Sequence, residues 1–218
     1  MWLTRPSFHD TDVLKYLCMR IIAGTYRSRP LRSLAGTDTR PTSDRLRETL
    51  FDVLTAGDPE ALRGTAWLDL YAGTGAVGIE ALSRGAAKAV LVDSSRAAVE
   101  VIRANLRALG IGDAAEVRQE DAQHALRALA KEVAGDVLRF DFCFFDPPYR
   151  LQRVYGETLR AIADSGLLAP AGIVVAEHDK RFDPGETAGP LVRYRLLKQG
   201  DAALSFYRVS SSQFPVPS

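Results

Sequence analysis

No stretch of this chain approaches the roughly 18 consecutive apolar residues of a membrane-spanning helix, so no membrane partner is expected. Cysteine is scarce, and Cys18 and Cys143 offer no disulfide framework. Cys143 falls in an apolar run and reads as an inert buried thiol. This cysteine usage fits a reducing, cytoplasmic location. His9, His124 and His178 are scattered, no pair has ligand spacing, and they read as surface or structural side chains, with no metal site expected. The absence of a nucleophile-elbow pattern argues against a serine hydrolase. Internal repeats and low-complexity tracts are missing as well. In residues 1–18, Asp10, Asp12 and Lys15 interrupt any apolar core of a signal peptide. That segment has no clear period; it reads as a disordered extension, with Met19 as the natural start.

What is present is a chain of 218 residues with ordinary soluble composition, enough for one domain with a sizeable core and a small appendage. Its net charge of +1 conceals an asymmetry. Residues 19–48 set Arg20, Arg27, Arg29, Arg32, Arg40, Arg45 and Arg47 against Asp38, Asp44 and Glu48, a net of +4, whereas residues 49–218 carry −3. Positive charge concentrated in one early segment suggests a polyanionic partner.

Residues 20–34 read as two short strands around Thr25 to Arg29, an arginine-rich β-hairpin. Gly36 to Arg40 is a loop, and Thr42 or Ser43 can cap the helix that follows. Leu46, Leu50, Val53 and Leu54 recur at helical spacing there, which places Arg45, Arg47, Glu48 and Asp52 mostly on the surface. From residue 66 strands and helices alternate. Strands are expected at 66–70, 87–92, 115–119, 140–145 and 172–176, and helices at 76–83, 96–109, 122–133 and 154–163. This alternation implies a mostly parallel sheet with helices on both faces. Residues 191–198 and 203–209 read as a terminal hairpin, giving seven strands.

Gly73, Gly75 and Gly78 form a G-x-G-x-x-G between the first strand and the first helix of that alternation, where glycine lets backbone turn tightly against a ligand. Asp93 ends the second strand, placed to accept hydrogen bonds from ribose hydroxyls. The loop suits a nicotinamide dinucleotide as well as an adenosine-containing methyl donor. Asp69, read as lying on the mouth of the site, suits a ligand bearing a sulfonium and an ammonium better than an anionic pyrophosphate. Asp121 can accept from an adenine amino group, cap the helix that begins at Ala122, or do both. The cofactor set is therefore Asp69, Tyr71, Ala72, Gly73, Thr74, Gly75, Gly78, Asp93, Ser94, Asp121, Ala122 and Asp146, with S-adenosyl-L-methionine as the cofactor.

Phe142-Cys143-Phe144-Phe145 runs directly into Asp146-Pro147-Pro148-Tyr149. The apolar run reads as a buried parallel strand. The two prolines end it in a stiff extended turn that presents acceptors, the Asp146 carboxylate and the Pro147 carbonyl. Tyr149 adds a stacking platform. Such a turn suits a planar base with an exocyclic amino group, unpaired or flipped out. Asp146, Pro147, Pro148 and Tyr149 are thus the catalytic candidates. Asp146 and the Pro147 carbonyl would each take one N–H, with Asp146 ionised at neutral pH.

Taken together, Asp69-x-x-x-Gly73-x-Gly75, Asp93, Asp121 and the Asp146–Tyr149 tetrad resemble the class I S-adenosylmethionine-dependent amino-methyltransferases. Arg20-Ile21-Ile22-Ala23-Gly24, the run Arg40 to Phe51 and the run Gly78 to Gly85 narrow this to a resemblance to the bacterial 16S rRNA guanine-N2 methyltransferases of the RsmD family, from about Met19 to Arg208. The resemblance implies an α/β, Rossmann-like seven-stranded methyltransferase sheet. It further implies methyl transfer to guanine 966 of 16S rRNA, free or in a partly assembled small ribosomal subunit; separately, a monomer is expected. Residues 19–58 then become a basic hairpin and helix that bind RNA and cover the cofactor site, and residues 59–218 the methyltransferase domain. Arg20, Arg27, Arg29, Arg32, Arg40 and Arg45 are the RNA-binding candidates. Three alternatives fit less well. A DNA adenine-N6 methyltransferase would need a target-recognition insertion, a NAD-dependent oxidoreductase leaves the tetrad unexplained, and a non-catalytic RNA-binding protein leaves the intact donor loop unexplained.

Overall fold

The alternation read from residue 66 onward is realised as a single mixed sheet. The structure, a computed structural model, describes residues 19–34, 44–132, 139–148 and 150–210. The strands are β1 (Ala66–Leu70), β2 (Lys88–Asp93), β3 (Ala115–Gln119), β4 (Phe140–Phe145), β5 (Leu168–Asp179), β6 (Thr187–Ala188), β7 (Leu191–Gln199) and β8 (Ala202–Val209). The helices are α1 (Asp44–Leu54), α2 (Ala76–Ser83), α3 (Arg96–Leu109), α4 (Ala122–Glu132) and α5 (Gln152–Asp164). The sheet order is β3-β2-β1-β4-β5-β8-β7-β6, with β1 to β5 parallel and the last three strands antiparallel.

The terminal hairpin forms as expected, but the sheet has eight strands rather than seven. The added strand, β6, is a two-residue pairing of Thr187 and Ala188 with β7, too short to leave a period in the sequence. β5 also starts earlier than expected, at Leu168, because its first residue already pairs with Phe140 ahead of a register shift. Residues 20–34 reverse direction as a hairpin would, but the ladder contracts to one bridge, Arg20 with Pro30. Proline has no N–H to extend it.

Side-chain alternation divides the core. Trp67, Leu91, Phe142, Phe144 and Phe206 face one layer, which also holds Met19, Ile21 and Leu31 of the N-terminal arm, with α1, α2 and α3. Phe51, Trp67 and Phe142 stack there at ring centroid separations of 5.4 and 5.2 Å. Leu70, Val92, Phe145 and Tyr207 face the other layer, with α4 and α5. Residues 19–34 therefore share the core of the sheet.

Arg47 corrects the surface placement read from helical spacing: it is fully buried. Its Nη2 donates to Asp44 Oδ1 at 2.9 Å and its Nε lies 3.8 Å from Glu80 Oε2. Glu80, also fully buried, accepts the backbone N–H groups of Ile22 and Ala23 at 2.8 and 2.9 Å and the Nε of Arg84 at 2.8 Å. A buried charge is tolerated where paired and hydrogen-bonded; here the pairing fastens the arm to α2.

Candidate active site

The strand order reverses between β1 and β4, and the crevice beyond the carboxyl ends of those strands is where open α/β sheets bind ligands. The register Leu70↔Phe145 sets the chain leaving β1 beside the chain leaving β4. The glycine loop and the Asp146 turn, 71 residues apart from Gly75 in sequence, are brought together by that one pairing.

The loop turns through three left-handed residues, Tyr71 (φ 61°), Gly73 (φ 56°) and Gly75 (φ 77°). A Cβ on Gly75 would lie 3.1 Å from Leu91 Cδ2, so this glycine seats the loop on β2. At Gly73 it would meet nothing closer than the Tyr71 carbonyl at 4.0 Å, leaving open space for a ligand against the backbone. The positive φ of Tyr71 is strain of the kind that collects at functional sites; its hydroxyl lies 3.3 Å from Thr158 Oγ1 on α5.

Asp93 fixes this loop. Its Oδ2 accepts the Gly73 N–H and its Oδ1 the Ser95 N–H, each at 2.8 Å, and burial pushes its carboxyl up. A carboxylate has about four lone-pair sites, so capacity for a further donor remains. Asp69 is not on the mouth of the site. It is 1% exposed, beneath the loop, with Oδ2 accepting the Gly78 N–H at 2.9 Å. Burial pushes its carboxyl up to about 7. The N-cap of α2 is Gly75, which has no side chain to close the helix start; Asp69 takes the Gly78 N–H from below, and the start opens beside Thr74. Ser94 is exposed at the end of β2. Asp121, also exposed, caps α4 by accepting the His124 N–H at 2.9 Å, next to buried Ala122.

Asp146 is half-buried where β4 ends. Burial, then the neighbouring charges of Glu177 and Asp69, hold its carboxyl well above the usual range, which corrects the expectation of a simply ionised side chain. The buried Pro147 carbonyl accepts the Tyr155 hydroxyl at 3.2 Å; Pro148 is exposed, and Tyr149 lies outside the described residues. Cys143 is buried, and burial pushes its thiol up, as an inert cysteine requires.

Two contributors escape a sequence reading. Tyr155 is fully buried, 4.9 Å from the Phe182 ring and edge-on to His178. His178 in turn touches Ser205 Oγ at 2.9 Å, and burial lowers its pKa, which favours the neutral ring. This column supports the turn from behind. Glu177, 3% exposed, comes beside Asp146 because Phe145 pairs with Ala176. A carboxylate directly after the apolar run Ile173–Ala176 was the available signal.

The arm's arginines are less free than the lack of acidic neighbours in sequence suggests. Arg20 lies 3.8 Å from Asp44, and Arg29 Nη2 donates to the Ala108 carbonyl at 2.9 Å. Arg27, Arg32 and Arg45 are exposed, and Arg40 lies outside the described residues. Arg150, Gln152, Asp179, Arg181 and Phe182 line an open cleft. Among the described residues no group of His, Cys, Asp and Glu could hold a metal ion, and no helix is long and apolar enough to cross a membrane.

Comparison with known proteins agrees with this geometry. The model of a family described as "Conserved hypothetical protein 95" matches residues 19–208. The Bacillus subtilis protein YlbH is 37% identical over 190 residues, 87% of this chain and 98% of that protein. Ribosomal RNA small subunit methyltransferase D of Escherichia coli K12 is 36% identical over 161 residues, 74% of this chain and 75% of the enzyme. A solved Thermus thermophilus protein superposes with a TM-score of 0.72 at 31% identity, covering 88% of this chain and 99% of its own. With the glycine loop and the Asp146 turn inside the matched span, the chain belongs to the conserved hypothetical protein 95 family, together with these relatives.

Proposed function

We propose that the protein is an S-adenosyl-L-methionine-dependent rRNA methyltransferase that modifies the exocyclic N2 of a guanine in 16S rRNA, guanine 966 by family resemblance. The observation that carries this reading is the Asp146-Pro147 turn beside a glycine loop at the sheet's switch point. The relatives' rRNA methyltransferase activity supports it. The loop's residues fit the cofactor. Gly73 leaves open space, and Asp93 and Asp121 supply acceptors for hydroxyl and amino groups.

When bound, S-adenosylmethionine supplies a methyl group on a sulfonium. The protein's task is to make a poor nucleophile competent. The lone pair of a guanine N2 is delocalised into the ring, and drawing its hydrogens toward acceptors favours a pyramidal nitrogen. Asp146 accepts one N–H. The Pro147 carbonyl, with Tyr155 on one lone pair, has its second for the other. Positioning of this kind supplies several kcal/mol of the barrier. The pressure of burial and of Glu177 on Asp146 makes it a stronger base than an exposed carboxylate, suited to take the proton the amine releases. Tyr149 stacks on the base. Residues 19–58 grip the RNA, with Arg20, Arg27, Arg29, Arg32, Arg40 and Arg45 on its phosphates.

The test is mass mapping of modified nucleosides in 16S rRNA from a deletion strain, complemented with the wild-type gene and with Asp146→Ala. Loss of one N2-methylguanine, restored only by the wild type, is expected. An unchanged rRNA pattern alongside a lost N6-methyladenine in DNA would replace this reading with the DNA one.

A further inference from the structure

Asn105 of α3 is 1% exposed, and each polar atom of its carboxamide is committed. Its Oδ1 accepts the Arg32 N–H at 2.8 Å, and its Nδ2 donates to the Arg32 carbonyl at 3.2 Å and to the Thr74 carbonyl at 3.0 Å. Toward the arm it pairs with Arg32 in both directions, as an opposing strand would. Toward the site it holds the middle residue of Gly73-Thr74-Gly75.

The other polar anchors of the arm bypass the glycine loop: Arg47 of α1 donates to the Arg20 carbonyl, Arg29 reaches the Ala108 carbonyl of α3, and two side chains of α2 hold the arm's backbone. Glu80 holds Ile22 and Ala23, while Ser83 receives the Tyr26 N–H at 3.0 Å and donates to the Ala23 carbonyl at 2.6 Å. Thr74 Oγ1 also reaches Met19 Sδ at 3.3 Å, but a thioether is a weak acceptor. Asn105 is thus the strong polar link from arm backbone to loop backbone. The loop is otherwise held from β2 by Asp93 and the arm by α2 and one bridge, so Asn105 is where the two meet. If either end moved without the other, a buried carbonyl or N–H would lose its partner, which is costly.

We propose that Asn105 is a positioning residue that joins the arm and the glycine loop into one unit, so that cofactor occupancy and grip on the RNA backbone tighten each other. This rests on the reading above that the loop takes the cofactor and the arm takes RNA. Linkage demands that each ligand improve the other's affinity by one common factor.

The full chain would be titrated with S-adenosylhomocysteine and with an RNA stem-loop bearing an unpaired guanine, each alone and with the other saturating. In the wild type a common factor of about fivefold or more is expected. S-adenosylhomocysteine alone should also slow amide hydrogen exchange across residues 19–34. Asn105→Asp keeps the acceptor for the Arg32 N–H but loses both donated bonds. It should bind each ligand alone within a few-fold of wild type, with the factor near one and arm exchange no longer responding. Asn105→Ala serves if the aspartate variant misfolds. A wild-type factor of one, an arm whose exchange ignores the cofactor, or a variant with full coupling overturns the proposal. Failure of the wild type to bind either ligand at all would instead overturn the functional reading, and the proposal with it.

Discussion

Asp146 and Asp69 are carboxyl groups displaced in the same direction, and their consequences differ with where they sit. Asp146 is half-buried where β4 ends at the switch point, so in the function proposed above its displacement would bear on catalysis. Activity should rise with pH along a limb above the ordinary carboxylate range, as the side chain loses its proton and becomes the acceptor the reaction needs. Asp146→Asn preserves the shape but removes the base. It should cost on the order of 10²-fold or more in turnover and abolish that limb, with cofactor affinity changing less. A variant that retained the wild-type pH profile would remove Asp146 from proton transfer. Asp69 is enclosed, so its displacement belongs to stability. Its carboxyl sits at about 7 in the folded chain against about 3.9 in an unfolded one. Between those values the folded state holds a proton that the unfolded state has released, so stability falls as pH rises through the window and levels off above it. The full effect is at most on the order of 4 kcal/mol. Asp69→Asn keeps an oxygen for the Gly78 N–H and cannot titrate. Its urea midpoint should change less than the wild type's between pH 4 and 7, and parallel profiles would contradict this.

The arm is an element held almost without secondary structure, and Gly24 shows how. Its φ is +80°, and a Cβ there would lie 1.8 Å from the Ser83 carbonyl, the same oxygen that accepts the Thr25 N–H at 2.7 Å. Gly24→Ala cannot be absorbed by a side-chain shift, because the obstacle is backbone. We expect a loss on the order of 3 kcal/mol in urea unfolding, and an unchanged midpoint would mean the arm is not docked in this way. The arm's charge is testable separately. Replacing Arg27, Arg29 and Arg32 with alanine should flatten the slope of log RNA affinity against log salt. Since Arg29 already serves the Ala108 carbonyl, the change should be nearer the two-arginine value of about 1.5 units than the three-arginine one. Cofactor affinity without RNA should be unaltered. At this scale much was legible: the strands and helices from residue 66 follow apolar periodicity, and the Gly73 and Asp146 motifs mark their own positions. Arg47 was not legible, because a buried arginine and an exposed one occupy the same helical slot until Glu80, 33 residues away, is brought against it. Glu177 comes beside Asp146 through the register of β4 and β5, and Tyr155 meets the Pro147 carbonyl and Phe182 through the docking of α5, and neither placement is set by apolar periodicity.

For the molecule as a whole, ligand binding to the folded state alone must stabilise it by mass action, by about 2.7 kcal/mol at a hundredfold excess over the dissociation constant, and so raise its melting temperature. S-adenosylmethionine and its demethylated product should do so; a shift with NAD and none with either of these would remove the methyltransferase reading. The arrangement of strands also imposes an order in time. β8 is the last strand of the sheet to be synthesised, yet it lies between β5 and β7. It contributes Leu204 and Phe206 to one core layer and Tyr207 to the other, and its Ser205 ends the column running from Tyr155 through His178. Domains fold during synthesis from the N-terminus onward, so the nascent chain can assemble its parallel half early. Until residues 202–209 leave the ribosome, however, β5 has an open edge close to the Asp146 turn. The crevice at the sheet's switch point is therefore completed only once β8 has been made.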